Sequence, residues 1–446
     1  MKEAKPIELD GRTGEGGGQL VRIACALAAV ANVPVRITNV RGNREGPRGG
    51  GLKSQHVSAL SYLAKATSAE TAGLAVGSHV LEFRPTLKPS DLEARNITIA
   101  TDSAAASTLL IFQALLPFLM FASNERGDPI KLQISGGTNV SFSLSYEYLD
   151  QVLLPMLEGF FVGIRVERSL TGRGWSQGKI TRGTIHFVIH PLKLGEPLRL
   201  REPERVFGPD DLEVVDIDVS MVAPADMHED LTDALVQDLG DLFPGVDVTF
   251  KIVEDSGTDS RIYVLLVAKS ETLRWGRDIL SAVPKKAKAA GGKGAKNGAK
   301  ASVSTSESIA RKVSKELFAE VSSGGVVDEY LQDQLVVFQA LAEGRSSFPR
   351  TGVAPAEHGT NGHGANGGDA NGDGTNGKET GLEQAMEKLD VGNLRKEKAD
   401  QPFGEGSAHT TTARWVTAEL LPKVAWYNEG RICEGVGMCM DKPLRG

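Results

Sequence analysis

Three helical stretches along the chain share one pattern. Each begins with polar or small residues, continues with an apolar-rich stripe and leads back towards a strand. The three are GGGQLVRIACALAAV from Gly16, SAAASTLLIFQALLPFL from Ser103 and EYLQDQLVVFQALAEG from Glu329. Alternating apolar and polar residues typical of strands occur at 33–40, 130–134 and 184–189. Because such units bury their apolar faces by stacking on one another, the pattern predicts an α/β fold with three copies of one β/α unit.

A block with a different order of elements lies between the second and third units. Its pattern predicts a strand at 212–222, a helix at 227–242, strands at 246–253 and 261–268, and a helix at 307–321. We therefore predict a small α/β domain inserted into the repeats. The predicted boundaries are 1–193 for the first part of the large domain, 194–323 for the insert and 324–446 for the last part.

Two low-complexity segments interrupt these domains. Residues 284–304 are rich in Lys and Gly, and residues 350–404 contain Asn-Gly steps with a five-residue period. We predict that both are largely disordered linkers, because little in them offsets the entropy of ordering. The lysines would also suit RNA or nuclear import, and His358 and His363 would suit a metal, but a solvated tether is favoured for each.

Charge and cysteine content restrict the partners and the compartment. The net charge is −7, yet residues 1–60 hold nine Lys or Arg against five acids, which suits one local anion site rather than a broad nucleic-acid footprint. Three cysteines are too few to stabilise a chain of 446 residues through disulfide bonds, which indicates a reducing compartment. The N-terminus lacks a signal-peptide pattern, and the longest apolar stretch, 107–122, is shorter than the ~20 residues that span a bilayer. We therefore expect neither secretion nor a membrane partner.

A glycine-rich turn, Gly14 to Gln19, directly precedes the first apolar helix. Its glycines would let backbone N–H groups approach an anion at the positive end of the helix. It lacks the Lys of a Walker A loop and the third glycine of the dinucleotide fingerprint. From spacing alone, a tight turn and a phosphate site fit equally well.

Other polar motifs each have a structural and a functional interpretation. Arg41 and Arg44 follow a strand and would either bind phosphate or remain solvated. Residues 135–139, SGGTN, fit a simple turn. Tyr330, Asp333 and Gln334 share a helix face at spacings i, i+3 and i+4, which suits either a core brace or a nucleotide.

A late histidine stands among hydroxyl residues in the segment AHTTT, at 408–412. A histidine in such surroundings is usually a structural hydrogen-bonding group. The alternative is a nucleophile, because a neutral imidazole can attack phosphorus and form a phosphoramidate.

Taken in order, these motifs resemble those of the RNA 3′-terminal phosphate cyclase family. The resemblance rests on LDGRTGEGGGQLVR, SGGTN, VVDEYLQDQL and AHTTT. It covers most of residues 7–193, the EYLQDQL region and the last 40 or so residues. It implies a large domain of three β/α units, each a four-stranded sheet with two helices, and a small inserted α/β domain.

The resemblance also implies an ATP-dependent enzyme that turns an RNA 3′-phosphate into a 2′,3′-cyclic phosphodiester through a histidinyl-AMP and an RNA-adenylate. By motif match His409 is the nucleophile, and Glu15 belongs to a site for Mg²⁺ or Mn²⁺. The phosphate-binding or otherwise catalytic residues would be Arg22, Arg41, Arg44 and Gln55. The nucleotide-binding residues would be Glu15, Gly16, Gly17, Gly18, Gln19, Gln113, Tyr330, Asp333 and Gln334.

The expected partners are ATP and RNA 3′-phosphate ends, and the sequence indicates no obligate protein partner. Eukaryotic relatives and the lysine-rich segment favour the nucleus, with the cytoplasm as the alternative. Two segments depart from the family pattern: the 44–55 loop is longer, and residues 178–183 replace a glycine-rich run. The rival interpretation is a catalytically inactive, cyclase-like protein of ribosome biogenesis. Such proteins lack both the GEGGGQ turn and a counterpart of His409, which this chain has.

Overall fold

The first unit is an open sheet with two helices. The computed structural model describes residues 4–44, 46, 49–101, 103–258, 261–283, 304–352 and 394–441. The elements of this unit are β1 (Ile7–Asp10), α1 (Gly18–Ala31), β2 (Val35–Thr38), α2 (Ser54–Ala66), β3 (Glu70–Ala72) and β4 (Leu81–Arg84). The strand order is β1-β2-β4-β3, with β1 and β2 parallel and the other pairs antiparallel.

The same strand order recurs twice. In the second unit the order is β5-β6-β9-β8, formed by β5 (Asn96–Ala100), β6 (Ile130–Gly136), β8 (Val166–Thr171) and β9 (Gly183–Ile189). In the third unit the order is β10-β15-β17-β16, formed by β10 (Arg199–Leu200), β15 (Glu343–Ser347), β16 (Ala425–Tyr427) and β17 (Ile432–Val436). A short strand, β7 (Phe161–Val162), extends this third sheet beside β10. In each unit the first two strands are parallel. The prediction of three copies of one β/α unit is confirmed.

The helices of the three units meet at the centre of the molecule. Between its first and second strands each unit supplies one helix: α1, α3 (Thr108–Met120) or α8 (Glu329–Leu341). Each unit also has a second helical segment. In the first unit it is α2, and in the third it is α9 (Ala408–Leu420). In the second unit it is a continuous run of α4 (Tyr146–Tyr148), a π-helix (Leu149–Leu153) and α5 (Leu154–Phe160). Eleven of the 14 residues of α1 and 11 of the 13 of α3 are buried, as expected of helices that are apolar on nearly every side. Helix α1 packs against α3 and α9, and α8 also packs against α9.

Among the described residues, no helix has the length and apolar character needed to cross a membrane.

The inserted block has its own sheet, in the order β12-β11-β13-β14. Its elements are β11 (Asp216–Ala223), α6 (His228–Leu242), β12 (Asp247–Asp255), β13 (Ile262–Lys269), β14 (Arg274–Ser281) and α7 (Thr305–Ser322). The five elements predicted here are present within a few residues. Strand β14 was not predicted, because charged residues interrupt its apolar pattern. The first strand of the third unit, β10, lies inside the range 194–323 predicted for the insert, since a two-residue strand has no periodic signal.

Part of the predicted linker 350–404 is packed against the third sheet. The Glu397 N–H donates to the Trp426 carbonyl at 2.8 Å, and Lys396 forms a bridge with Tyr427. The Phe403 ring is buried and meets the Trp426 ring edge-on. The chain is therefore held in place just before α9 begins. The rest of this segment, 353–393, and residues 284–303 of the other predicted linker lie outside the described residues.

Candidate active site

The first turns of several helices meet at one place between the units. Gln19 is the second residue of α1, His56 the third of α2, Asp333 the fifth of α8 and His409 the second of α9. Their side chains touch one another or the glycine-rich turn, as described below. The N-terminus of a helix carries partial positive charge, and at α1 no side chain of the described residues caps it, so this place suits an anion.

His409 is tied to Gln19 and, through it, to Asp333. Gln19 donates its Nε2–H to Asp333 Oδ2, which leaves Gln19 Oε1 facing His409 Nδ1 at 3.0 Å. An amide oxygen only accepts, so the hydrogen-bond network assigns the imidazole proton to Nδ1. His409 Nε2 therefore keeps its lone pair. Helix α9 begins at this point because Ser407 Oγ accepts the Thr410 N–H at 3.2 Å.

A continuous chain of hydrogen bonds extends this arrangement across all three units. Gln334 donates to both carboxylate oxygens of Asp333 at 3.1 Å, and Gln113 donates to Gln334 Oε1. Arg22 Nε donates to Gln113 Oε1 at 3.1 Å. Each of these side chains is a separate candidate in the sequence. The structure brings them together on α1, α3 and α8.

Burial and charge set the protonation of this network. Burial lowers the pKa of His409 below its ordinary value, and the positive charges of Arg22 and Arg44 lower it further. The imidazole is thus neutral near pH 7. Burial raises the pKa of Asp333 to about 7, against the lowering effects of Gln334 and Arg22. Burial also lowers the pKa of Arg22 to about 10, which leaves that guanidinium charged.

The glycine-rich turn is packed too closely for side chains. Gly16 has a φ of +61°, the left-handed region that glycine adopts without strain. A Cβ on Gly18 would lie 2.4 Å from His56 Nε2. The Glu15 N–H donates to Thr412 Oγ1 at 2.9 Å, which fixes the turn to α9. The turn thus brings backbone of α1 against side chains from α2 and α9.

Glu15 pairs with Arg44 through one carboxylate oxygen, Oε1. Its other oxygen, Oε2, is buried and has no partner among the described residues. Mg²⁺ is commonly held by one or two carboxylates together with substrate phosphates, so this single free oxygen fits the metal that the resemblance implies. No group of three or more His, Cys, Asp or Glu side chains in the described ranges could hold a metal by itself.

Arg41 and Gln55 also lie outside the hydrogen-bonded chain. Arg41 donates its NH1 to the carbonyls of Gly49 and Gly51, at 2.7 and 3.2 Å, so it braces the loop that also carries Arg44. Gln55 is half-buried on the first turn of α2, and no hydrogen bond joins it to the other site residues in the described part of the chain.

Tyr330 lies at the rim of the site and is 39% exposed. The Tyr148 ring meets it edge-on, with centroids 6.1 Å apart. The Arg277 guanidinium lies 4.5 Å from its centroid on another side. Asp328 caps α8 by accepting the N–H groups of Tyr330 and Leu331, both at 2.9 Å. The ring is thus oriented by neighbours and leaves part of its surface open.

His56 belongs to the site but has no role predicted from the sequence. Its Nδ1 accepts the Lys53 N–H at 3.0 Å, so its proton is on Nε2. That Nε2–H is buried, lies against Gly18 and has no acceptor among the described residues. Burial holds the pKa of His56 well below its usual value, and Arg22 and Arg41 add to this effect. The available signal was its place beside Gln55 at the start of α2, but one histidine there resembles any buried histidine.

Comparison with known proteins gives a consistent match. The model of a family described as RNA 3′-terminal phosphate cyclase matches residues 13–359, a range that ends before His409. A protein of that name from Pyrococcus furiosus is 32% identical over 340 residues, 76% of this chain and 87% of the relative. One from Methanosarcina mazei is 33% identical over 346 residues, 77% and 89% of the two chains. One from Ignicoccus hospitalis is 32% identical over 368 residues, 76% and 86%.

Proposed function

The chain belongs to the RNA 3′-terminal phosphate cyclase family, and we propose that it converts an RNA 3′-terminal phosphate into a 2′,3′-cyclic phosphodiester with consumption of ATP. The observation that carries the proposal is the hydrogen bond between His409 Nδ1 and Gln19 Oε1. It orients the imidazole so that Nε2 is the free nucleophilic atom.

The proposed reaction has three transfer steps. First, His409 Nε2 bonds to the α-phosphorus of ATP as the bond to pyrophosphate breaks. Next, a 3′-phosphate oxygen of the RNA takes the AMP, which restores the neutral imidazole. Last, the terminal 2′-hydroxyl attacks the 3′-phosphorus, its proton passes to solvent, and AMP leaves. Splitting the reaction this way replaces one difficult displacement with easier ones.

The positive charge for these steps comes from the chain itself. Arg22 and Arg44 both act electrostatically on His409. Together with the helix N-termini they would offset phosphate charge, which allows a neutral imidazole to approach. We assign Arg41 to positioning the Arg44 loop, and Gln55 to a phosphate contact at the start of α2.

The nucleotide itself would lie along the glycine-rich turn. The N–H groups of Gly17, Gly18 and Gln19 at the start of α1 suit its phosphates, and Gly16, in the left-handed region, shapes the turn beside them. The open part of the Tyr330 ring suits the base, beside Gln113, Asp333 and Gln334. Glu15 Oε2 would hold Mg²⁺ or Mn²⁺ against the phosphates, where the ion would neutralise charge.

The test is to incubate the protein with ATP labelled on the α-phosphate. We expect an acid-labile, alkali-stable protein adenylate, and we expect none with His409→Ala. Labelling that persists in His409→Ala would contradict the assignment of the nucleophile. Conversion of a 3′-phosphate RNA end to a cyclic end by the wild type separates the enzyme from the inactive, ribosome-biogenesis interpretation.

We further propose nuclear residence, with ATP and RNA 3′-phosphate ends as the partners. The support for the nucleus is the lysine-rich segment 284–304, which lies outside the described residues except for Ser304. Fluorescent tagging of the full chain, compared with a variant whose six lysines between 285 and 300 are changed to Gln, would test it.

A further inference from the structure

Phe142 combines two unfavourable features. Its side chain is fully exposed, and its backbone has a φ of +63°. Exposing a phenyl ring forgoes hydrophobic stabilisation, and the left-handed region is uncommon for a bulky residue. Such combinations persist where the surroundings fix them, and they are most frequent at binding sites.

The loop that carries Phe142 is held from several sides. Ser143 Oγ hydrogen-bonds Ser107 Oγ, and the Ser141 N–H donates to Ser176 Oγ at 3.2 Å. The Tyr146 N–H donates to the Thr138 carbonyl at 3.2 Å, which closes the loop at its base. The ring is therefore presented to solvent on a fixed support.

A basic loop lies directly beside it. The Ser176 N–H donates to the Asn139 carbonyl at 3.4 Å. Further along this loop Lys179 and Arg182 are exposed, and Arg261 donates to the Lys179 carbonyl at 2.6 Å. In the described ranges no carboxylate forms an ion pair with Lys179, Arg182 or Arg261. Arg173, by contrast, is neutralised by Glu147 and Glu254. The Phe142 face, defined here as Phe142, Lys179, Arg182 and Arg261, thus joins an aromatic ring to three cations.

The Phe142 face adjoins the candidate active site. The loop runs into α4, where Tyr148 contacts the Tyr330 ring at the rim. Ser107, which anchors the loop, is also the cap of α3, the helix that carries Gln113. A chain entering the site over this rim would pass the Phe142 face.

We propose that the Phe142 face binds the single-stranded RNA just upstream of the reacting 3′ end. One base stacks on the Phe142 ring, and the neighbouring phosphates lie against Lys179, Arg182 and Arg261. Proteins that bind single strands without reading sequence use this combination of stacking ring and cations. The inference rests on the proposed function, because it takes RNA to be the substrate.

The composition of the Phe142 face favours a nucleic acid over a protein partner. Its exposed apolar side chains are the Phe142 ring and the neighbouring Ile180, at 53% exposure. A stable protein interface buries about 1,200–2,000 Å² around an apolar centre. An isolated ring among cations and serine hydroxyls suits bases and phosphates instead.

The experiment compares a long and a short substrate. One is an RNA of about 12 nucleotides ending in a 3′-phosphate, which spans a typical single-strand site, and the other is a dinucleotide 3′-phosphate. The variants are Phe142→Ala, Phe142→Tyr and the pair Lys179→Ala with Arg182→Ala. The matched controls are Val236→Ala on α6, also exposed, and the pair Lys312→Ala with Lys315→Ala on α7.

We expect Phe142→Ala to raise the KM for the long RNA about 5-fold to 100-fold. The kcat for the long RNA and the KM for the dinucleotide should stay unchanged. Phe142→Tyr should restore wild-type values. The Lys179/Arg182 pair should lower the slope of log binding constant against log salt by about 1.4, and the controls should change neither quantity.

The inference would be overturned if Phe142→Ala changed the KM of both substrates equally or changed neither. A tenfold rise in the KM for the long RNA with the control lysine pair would also overturn it. Protein adenylation by labelled ATP is measured on every variant. If the wild type forms no adenylate, the proposed function fails. If it forms one and Phe142→Ala processes both RNAs normally, only the Phe142 face is refuted.

Discussion

The helices α1, α3 and α8 occupy equivalent positions in the three units, yet their first turns differ. Ser107 Oγ caps α3 by accepting the Leu110 N–H at 3.2 Å, and the Asp328 carboxylate caps α8. The first turn of α1 begins at Gly17, and no side chain of the described residues caps it. Of these three helix ends, only that of α1 lacks a side-chain cap within the described part of the chain.

Under the proposed function, this difference explains how one unit of a repeat would serve as the binding site. A side-chain oxygen at the N-cap satisfies the N–H groups that an anion would otherwise take. Because α1 has no such side chain, the positive end of this helix is exposed. The N-termini of α3 and α8 are covered by their capping side chains. The closed helices contribute later residues instead, Gln113, Asp333 and Gln334, which orient Gln19 and Arg22 on α1.

The largest expected effect comes from cutting the link between α1 and α9. Gln19→Leu removes the acceptor for His409 Nδ1, so the imidazole loses its fixed tautomer. We expect the rate of adenylation to fall about 10²-fold to 10⁴-fold. The matched control is Gln339→Leu on α8, a buried glutamine that bonds Ser346 Oγ instead. Similar losses in adenylation for both variants would refute the role of the link.

Closing the open end of α1 should have the next largest effect. In Gly18→Ala the new Cβ would lie 2.4 Å from His56 Nε2, so the turn must shift. A displacement of this size in a catalytic arrangement costs about 10-fold to 100-fold in rate. Gly240→Ala on α6 is the control, because a Cβ there meets open space. The measurement is single-turnover adenylation, and an unchanged rate in Gly18→Ala would show that the turn is not in use.

The pH dependence of the adenylation rate tests the contribution of Asp333 on α8. The pKa of Asp333 is raised to about 7, so its carboxylate gains a proton as the pH falls through 7. The hydrogen bonds that orient Gln19 weaken in that range, and we expect the adenylation rate to fall between pH 8 and 6. In Asp333→Asn this acid limb should move below pH 6.5, where His409, whose pKa is lowered, takes a proton. A limb that stays near pH 7 in Asp333→Asn would assign it to another group.

The smallest effect is expected at the capped end of α3. Ser107→Ala removes an N-cap and should lower the free energy of unfolding by about 1 kcal/mol, measured by urea denaturation. Adenylation should stay within about twofold, because the end of α3 is not a ligand site. A tenfold loss of adenylation at unchanged stability would remove the distinction between α1 and α3.

Most of the fold could be predicted because its signals are local. The apolar stripes of α1, α3 and α8 and the alternation of β2, β6 and β9 appear in the sequence at their observed positions. Several strands were not predicted individually, among them β10 and β14. The charges of β14 pair with neighbours, as Arg277 does with Glu320, and β10 is two residues long, so neither shows a periodic pattern.

The site was only partly predictable. The family resemblance indicated Gln19, Arg22, Gln113, Asp333, Gln334 and His409 as separate candidates. It gave no sign that Arg41 turns to backbone carbonyls, or that His56 places against Gly18 an N–H with no acceptor among the described residues. These features depend on contacts between distant segments, which no spacing encodes.

The sequence by itself determined the three β/α units, the glycines that allow close approach, and the residue types available for phosphate chemistry. Periodicity and residue type act over a few positions, so they can be read along the chain. Only the tertiary structure decided that Gln19 meets His409 across 390 positions and that Asp333 orients Gln19. The tautomer of the histidine, and hence the ring nitrogen that keeps its lone pair, is a property of that packing. Hydrogen bonds and burial, not neighbours in sequence, set where a proton resides.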